Sequence, residues 1–245
     1  MKALKQRLDT LLVARGCFES REKAQRAVMA GEVIVAGHRV DKPGARVPED
    51  AEITVKQGLR YVSRGGLKLE AALAAFGVDP TGALCLDVGA STGGFTDCLL
   101  QHGAARVCAI DVGHSQMDWK IRSDPRVDVR EKLNARYLSR ADIPEAPAIC
   151  TIDVSFISLT LILPPAFEVL SPTGVILALI KPQFELGKDE VGKGGIVRDP
   201  AAHDAAVGKI RDFVTGTAGR QWVGVIESPI LGGEGNKEFL ACLRP

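Results

Sequence analysis

Two rhythms of apolar residues run along this chain, helical at its start and mixed thereafter. Over residues 6 to 15, Leu8, Leu11 and Leu12 recur at helical spacing and stop at Gly16, a residue suited to a helix C-terminus. A second helix is expected after Ser20, whose hydroxyl suits an N-cap, with Ala24, Ala27 and Val28 on its apolar face and Gly31 ending it. Lys23 stands where a glutamate would complete a capping box. Val33 to Val35 and Arg39-Val40 flank Ala36-Gly-His38 as a hairpin, and Ala51 to Val55 reads as a further strand after the turn at Pro43-Gly44. These elements predict a small α+β domain over residues 1–58, the size of an appended module.

A glycine-containing joint, read as a linker over residues 59–64, leads to a second domain over 65–245 in which strands alternate with helices. Its apolar runs end at Asp87, Asp111, Asp153 and Lys181. That order predicts an α/β, Rossmann-like, mostly parallel sheet covered on both faces, with those four polar residues at the carboxyl ends where ligands bind. Asp199-Pro200 opens a helix as N-cap and first-turn proline, and Gln221 to Ile226 with Glu238 to Leu243 reads as a closing strand pair.

Composition narrows the class. A chain of 245 residues with 46% hydrophobic content supplies a sizeable core. Its longest apolar stretches, Val175 to Ile180 and Ile157 to Leu163, fall far short of the roughly 18 to 20 residues a membrane span needs. The charged N-terminus is unlike a secretory signal, so the cytoplasm is the expected location. Six cysteines without Cys-x-x-Cys spacing read as buried free thiols, not disulfides or zinc ligands, and no metal site is expected. The four histidines show no ligand spacing either, and all read as non-catalytic. Net charge is +1, but residues 1–60 carry twelve Lys/Arg against eight Asp/Glu, which favours a polyanion partner for that segment.

The pattern Arg7-Leu-Asp9, Gly16, Ser20-Arg21, Ala24, Gly31 to Val35 and Gly37 resembles the RNA-binding module named after the fourth small-subunit ribosomal protein. On that resemblance Arg7, Arg15, Ser20, Arg21, Lys23 and Arg26 become candidate RNA contacts, joined by Arg64 at the linker. The bland alternative is that these charges only solvate two helix faces.

The chemistry-bearing turn is Asp87-Val-Gly-Ala-Ser-Thr-Gly-Gly-Phe95, between a buried strand and a helix. Glycine lets backbone pass close to a ligand, and the amides of the following helix point at it. The spacing Gly89-x-Ser91-x-Gly93, preceded by Asp87, suits S-adenosylmethionine better than the Gly-x-Gly-x-x-Gly of nicotinamide sites. Candidate cofactor contacts are Asp87, Gly89, Ala90, Ser91, Thr92, Gly93 and Phe95. Asp111, 22 residues beyond Gly89, is placed to accept from ribose hydroxyls or to form a turn, with Val112 and Asn134 near it.

Lys68, Asp153, Lys181 and Glu238 assemble a Lys-Asp-Lys-Glu set, each at an element end. A lysine directly after six apolar residues pays for burial of its charge unless a carboxylate compensates, and Asp153 is the expected partner of Lys181. A buried ion pair without chemistry is the alternative. Phe156, Phe184 and Trp119 are suited to stack on a base or to pack. The glycine-rich stretch from Leu186 to Val197 reads as a loop that closes over RNA or is simply solvated.

Together, Ser63-Arg-Gly-Gly66 with Lys68, Asp87 to Phe95, Asp153-Val-Ser-Phe156, Lys181-Pro-Gln-Phe-Glu185 and Gly235-Asn-Lys-Glu238 resemble the TlyA family of ribosomal RNA 2′-O-methyltransferases, whose catalytic domain looks like that of FtsJ. The resemblance implies a class I methyltransferase domain with a mostly parallel seven-stranded sheet and S-adenosylmethionine as cofactor. It also implies methyl transfer to a ribose 2′-hydroxyl, cytidine in ribosomal RNA, with Lys68, Asp153, Lys181 and Glu238 matching the catalytic tetrad. The expected partner is ribosomal RNA or a ribosomal subunit, met by a monomer. Six residues precede Arg7 and seven follow Glu238, which favours the type that modifies only the large subunit. The competing readings are a membrane-active protein, from the haemolysin label that family carries, and an NAD-dependent oxidoreductase on the same sheet.

Overall fold

The computed structural model describes residues 4–55, 60–143, 145–187 and 190–245. Contacts divide the chain into Met1–Arg60 and Tyr61–Pro245. In the first unit α1 (Leu8–Ala14) and α2 (Arg21–Met29) pack leucines and alanines onto β2 (Val33–Val35). The Ser20 hydroxyl accepts from the Lys23 amide at 3.3 Å, and Gly16 and Gly31 carry the positive φ that ends each helix. Antiparallel β3 (His38–Arg39) and β5 (Ile53–Val55) flank β2. The first residues of the expected helix are instead β1 (Lys5–Arg7), paired antiparallel with β4 (Arg46–Pro48). Neither strand alternates apolar with polar residues clearly enough to announce itself.

The second unit carries the mostly parallel seven-stranded sheet that the alternation implies. Its strands are β6 (Leu84–Val88), β7 (Arg106–Asp111), β8 (Val127–Glu131), β9 (Ile149–Ile152), β10 (Val175–Ile180), β11 (Gln221–Glu227) and β12 (Phe239–Arg244). The order is β11-β12-β10-β9-β6-β7-β8, with β12 antiparallel to both neighbours. Successive residues of one strand point into two cores. Leu86, Ile110, Ile152 and Ile176 face Phe167 and Ile210, whereas Cys85, Val107, Ile149 and Leu177 face Leu69 and Leu99. Burial on both faces is why these strands read as unbroken apolar runs. The strand order reverses between β6 and β9, which opens a crevice at their carboxyl ends.

Two further readings need correction. The linker is shorter than 59–64 at its C-terminal side, because Tyr61 is buried in the second unit's core and the Val62 amide donates to Asp97 Oδ2 at 2.9 Å. A Cβ on Gly66 would meet the Tyr61 ring at 2.2 Å, so that ring sits in a seat only glycine leaves open. Residue 59 lies outside the described residues. Among the cysteines, Cys17 is exposed, while the other five are buried free thiols. Cys17 lies after α1, beyond the last leucine that packs.

Candidate active site

The turn after β6 leads into α4 (Gly94–Gln101). Asp87 lies beneath this turn and lines neither of the clefts described below. Fully buried, it accepts from the Thr96 hydroxyl at 2.7 Å and from the Thr151 hydroxyl at 2.9 Å. Burial pushes its carboxyl up to about 6 against the pull of those two hydrogen bonds. Its contribution is to fasten the turn to α4 and β9 rather than to meet a ligand. Gly89 has φ +82, and a Cβ there would lie 2.3 Å from the Asp153 carbonyl oxygen. The turn and the segment after β9 therefore touch backbone to backbone.

Two clefts meet at this point. One, of ≈ 230 Å³, is lined by Arg64, Lys68, Gly89, Ala90, Ser91, Thr92, Gly94, Phe95 and Asp153. The other, of ≈ 410 Å³, shares Gly89, Ser91 and Asp153 and extends to Asp111, Val112, Asn134 and Phe156. Gly93 lines neither: at φ +90 it backs onto Ile121. Asp111 forms the turn that was one of the two readings offered for it. Its Oδ2 accepts from the Ser91 amide at 2.8 Å and its Oδ1 from the Gly113 amide at 2.7 Å, while the carboxylate still borders the cleft. Asn134 caps a short 3₁₀ turn by accepting from the Arg136 amide at 3.0 Å. Sequence reasoning met Ser63 only as part of a family motif, not as a site residue, and missed the Ile230–Gly233 wall of the smaller cleft. Adjacent Gly232 and Gly233 were the available signal, for glycine marks close backbone approach.

The Lys-Asp-Lys-Glu set resolves into two ion pairs. Lys68, on α3 (Gly65–Phe76), stands 2.5 Å from Glu238, which immediately precedes β12. Their side chains are 10% and 2% exposed. Lys181, which follows β10, stands 2.5 Å from Asp153 and donates to the Ser155 hydroxyl at 3.0 Å. Lys68 and Asp153 face the smaller cleft, and each is backed by its partner. Such an arrangement places the cation of one pair and the carboxylate of the other beside one solvent-accessible space, able to orient and polarise a hydroxyl. Phe156, 90% exposed with φ +64, packs its ring 5.0 Å from that of Phe184 at the mouth of the larger cleft. Trp119 is exposed on α5 (Trp119–Arg122).

In the first unit the predicted cations are largely engaged. Arg7 and Arg21 both pair at 2.9 Å with buried Asp9, whose carboxyl they hold far below the usual range, the Arg7 hydrogen bond contributing most. Arg15 donates to the backbone oxygens of Ala51 and Glu49, Lys23 pairs with Glu19, and Arg26 is exposed. Part of the glycine-rich stretch is also held. Asn236 accepts from the Val197 amide at 2.9 Å and donates to the Gly195 oxygen at 3.0 Å, and His203 bonds the Val197 oxygen. Residues 188 and 189 of that stretch lie outside the described residues. Among the described residues no group of three or more His, Cys, Asp or Glu could hold a metal, and no helix is long and apolar enough to cross a membrane.

A mostly parallel sheet with one reversed strand, carrying a glycine turn at its switch point and paired lysines beside it, defines a methyltransferase-like α/β domain. The chain belongs to the FtsJ-like methyltransferase family, whose profile matches residues 61–245, and an S4 domain profile matches residues 6–53. That membership sets aside the oxidoreductase reading. A Bacillus subtilis protein provisionally named rRNA methyltransferase YqxC is 52% identical over 99% of this chain and 87% of its own length. The 16S/23S rRNA (cytidine-2′-O)-methyltransferase TlyA of Mycobacterium tuberculosis is 42% identical over 99% of this chain and 91% of its own. A solved structure from Streptococcus thermophilus with a provisional haemolysin name is 47% identical, with a TM-score of 0.75 over 98% of this chain and 88% of that one.

Proposed function

We propose that this protein transfers a methyl group from S-adenosylmethionine to a ribose 2′-hydroxyl of ribosomal RNA, with cytidine as the target, and works as a cytoplasmic monomer on a ribosomal subunit. The observation that carries the reading is the pair of lysine–carboxylate contacts beside a cleft that begins on the Gly89 turn. The larger cleft lies within the size range of small-molecule sites and presents the Asp111 carboxylate as acceptor beside the Asn134 amide, a polar pair that suits a nucleoside. Gly89 to Thr92 and Phe95 would hold the amino-acid end of the cofactor, and Asp111, Val112 and Asn134 its nucleoside. S-adenosylmethionine, when bound, supplies an electrophilic sulfonium methyl.

The protein's own work is orientation and charge. Lys181 holds the 2′-oxygen through an N–H donor, and the Lys181–Asp153 pair takes up the proton that leaves as oxygen bonds to carbon. Lys68, fixed by Glu238, orients the ribose from the cleft that it lines. Arg64 at the cleft and the S4 unit supply phosphate contacts.

The test is single-turnover methylation of both purified ribosomal subunits, with the modified nucleosides mapped by mass spectrometry. Wild-type protein is expected to yield 2′-O-methylcytidine in the large subunit. Lys181→Ala should lose at least about a hundredfold in rate with cofactor affinity intact. Base methylation, or a near-normal rate for Lys181→Ala, would sink the reading.

A further inference from the structure

The chemistry proposed above needs Lys181 and Asp153 to meet, yet they stand on separate elements. Asp153 begins an irregular segment, residues 153–158, that includes the positive-φ Phe156. A bulky residue in that region costs about 1 to 3 kcal/mol and persists only where its surroundings over-determine it. Lys181 sits just before the short helix α7 (Pro182–Glu185).

Three contacts tie the segment to α7. At its near end Lys181 reaches Asp153 and Ser155, and in the middle the rings of Phe156 and Phe184 meet. At its far end stands Glu185, 4% exposed. Its Oε2 accepts from the Ser158 hydroxyl at 2.5 Å, and its Oε1 accepts from the Leu159 amide at 2.8 Å. From behind, Lys209 of α8 (Pro200–Asp212) lies 3.7 Å from Oε2 and donates to the Glu185 backbone oxygen. Glu185 borders neither cleft, so no ligand contact accounts for a carboxylate buried there. Burial also pushes its carboxyl above the usual range, which marks a site where the charge is held at a cost.

We propose that Glu185 is a positioning residue: its carboxylate staples residues 158 and 159 to α7, closing the strained segment into a loop fixed at both ends and so setting Asp153 and Ser155 against Lys181. The proposal rests on the methyl-transfer reading but is separable from it. It concerns how fast a methylating enzyme works, not whether it methylates.

The experiment compares Glu185→Ala, Glu185→Gln and Ser158→Ala with wild type on whole ribosomal subunits. It follows kcat, KM for the subunit, cofactor affinity by calorimetry, and hydrogen exchange across residues 153–162. Glutamine keeps an acceptor for the Leu159 amide and a polar partner for Ser158, so Glu185→Gln is expected to hold kcat within about threefold. Glu185→Ala should lose roughly a hundredfold in kcat, the scale of an ångström-level misplacement, with KM and cofactor affinity within about threefold and faster exchange at Leu159. Ser158→Ala, which removes one arm of the staple, should fall between them. If Glu185→Ala keeps near-normal kcat, or if cofactor affinity falls in step with kcat and glutamine does not rescue, the proposal is overturned. Should the alanine variant fail to fold, Ser158→Ala decides, and a normal kcat there refutes the idea. A wild-type enzyme that methylates no ribose would instead overturn the functional reading beneath it.

Discussion

Replacing Lys68 with methionine keeps most of the side-chain stem but strands the Glu238 carboxylate, which is 2% exposed and has its cationic partner 2.5 Å away. Breaking a buried pair by removing one member typically costs about 3 to 5 kcal/mol, because the remaining charge is left uncompensated. For a domain of this size each kcal/mol moves the melting temperature by about 2 to 4 °C, so a fall of roughly 6 to 20 °C is expected. Replacing both members, as Lys68→Met with Glu238→Leu, removes the stranded charge along with its partner. Apolar replacements of buried pairs are often neutral or stabilising by about 1 to 4 kcal/mol, so the double variant should regain the single variant's loss. Both variants should stay inactive, since the ribose-orienting cation is gone from each. Urea unfolding followed by circular dichroism, beside a methyl-transfer assay, reads the two effects separately. A single variant destabilised by less than about 1 kcal/mol, or a double variant no more stable than the single, would refute the view that this pair is a buried, mutually dependent unit.

Asp87 gives a pH signature. Its folded-state carboxyl is raised from 3.8 to about 6, so the native state holds more protons than the unfolded chain between those values, and the associated stability is lost as pH rises through 6. Between pH 4.5 and 7.5, the stability of wild type relative to Asp87→Asn should fall by roughly 2 kcal/mol, and parallel unfolding curves at those two pH values would contradict it. Glu185 shifts in the same direction but is common to both proteins, so the comparison isolates Asp87. At Gly89, alanine would bring a Cβ to 2.3 Å from the Asp153 oxygen in a backbone region that costs a non-glycine residue about 1 to 2 kcal/mol. Calorimetry should show cofactor affinity down by at least about tenfold and single-turnover rate by about a hundredfold in a folded protein; normal values for both would show that the turn has slack.

The legible parts of this molecule are those where local sequence and tertiary burial coincide. Val175 to Ile180 and Ile149 to Ile152 are covered on both faces, so their composition alone announces buried strands, and the residue after each is delivered to the ligand edge. The Ser20 and Asp199 caps are equally local, each accepting from an amide two or three residues on. What stayed hidden is long-range or polar. Lys68 and Glu238 are 170 positions apart, and no spacing rule joins them. Lys5 to Arg7 forms a strand only because Arg46 to Pro48 is there to pair with it. Asp87 looked like a ligand contact because it borders the glycine turn in sequence, but an inward-facing strand position sends its side chain into the core. Glu185 was visible as part of a motif, yet its reach to Ser158 depends on how β9 and β10 lie side by side.

The shared carboxylate of Asp9 has a consequence for how the first unit meets a polyanion. Arg7 and Arg21 remain about half exposed while both guanidiniums are moored to one buried anchor, and Gln25 donates to the same oxygen that Arg21 contacts. Each arginine carries about 2 kcal/mol of rotamer entropy that a free surface side chain would surrender on contact with phosphate. Here much of that ordering is complete when the unit folds. The charge is pre-organised rather than recruited, which trades a larger net positive field for a fixed spacing between two cations, and a fixed spacing is what distinguishes one backbone geometry from another.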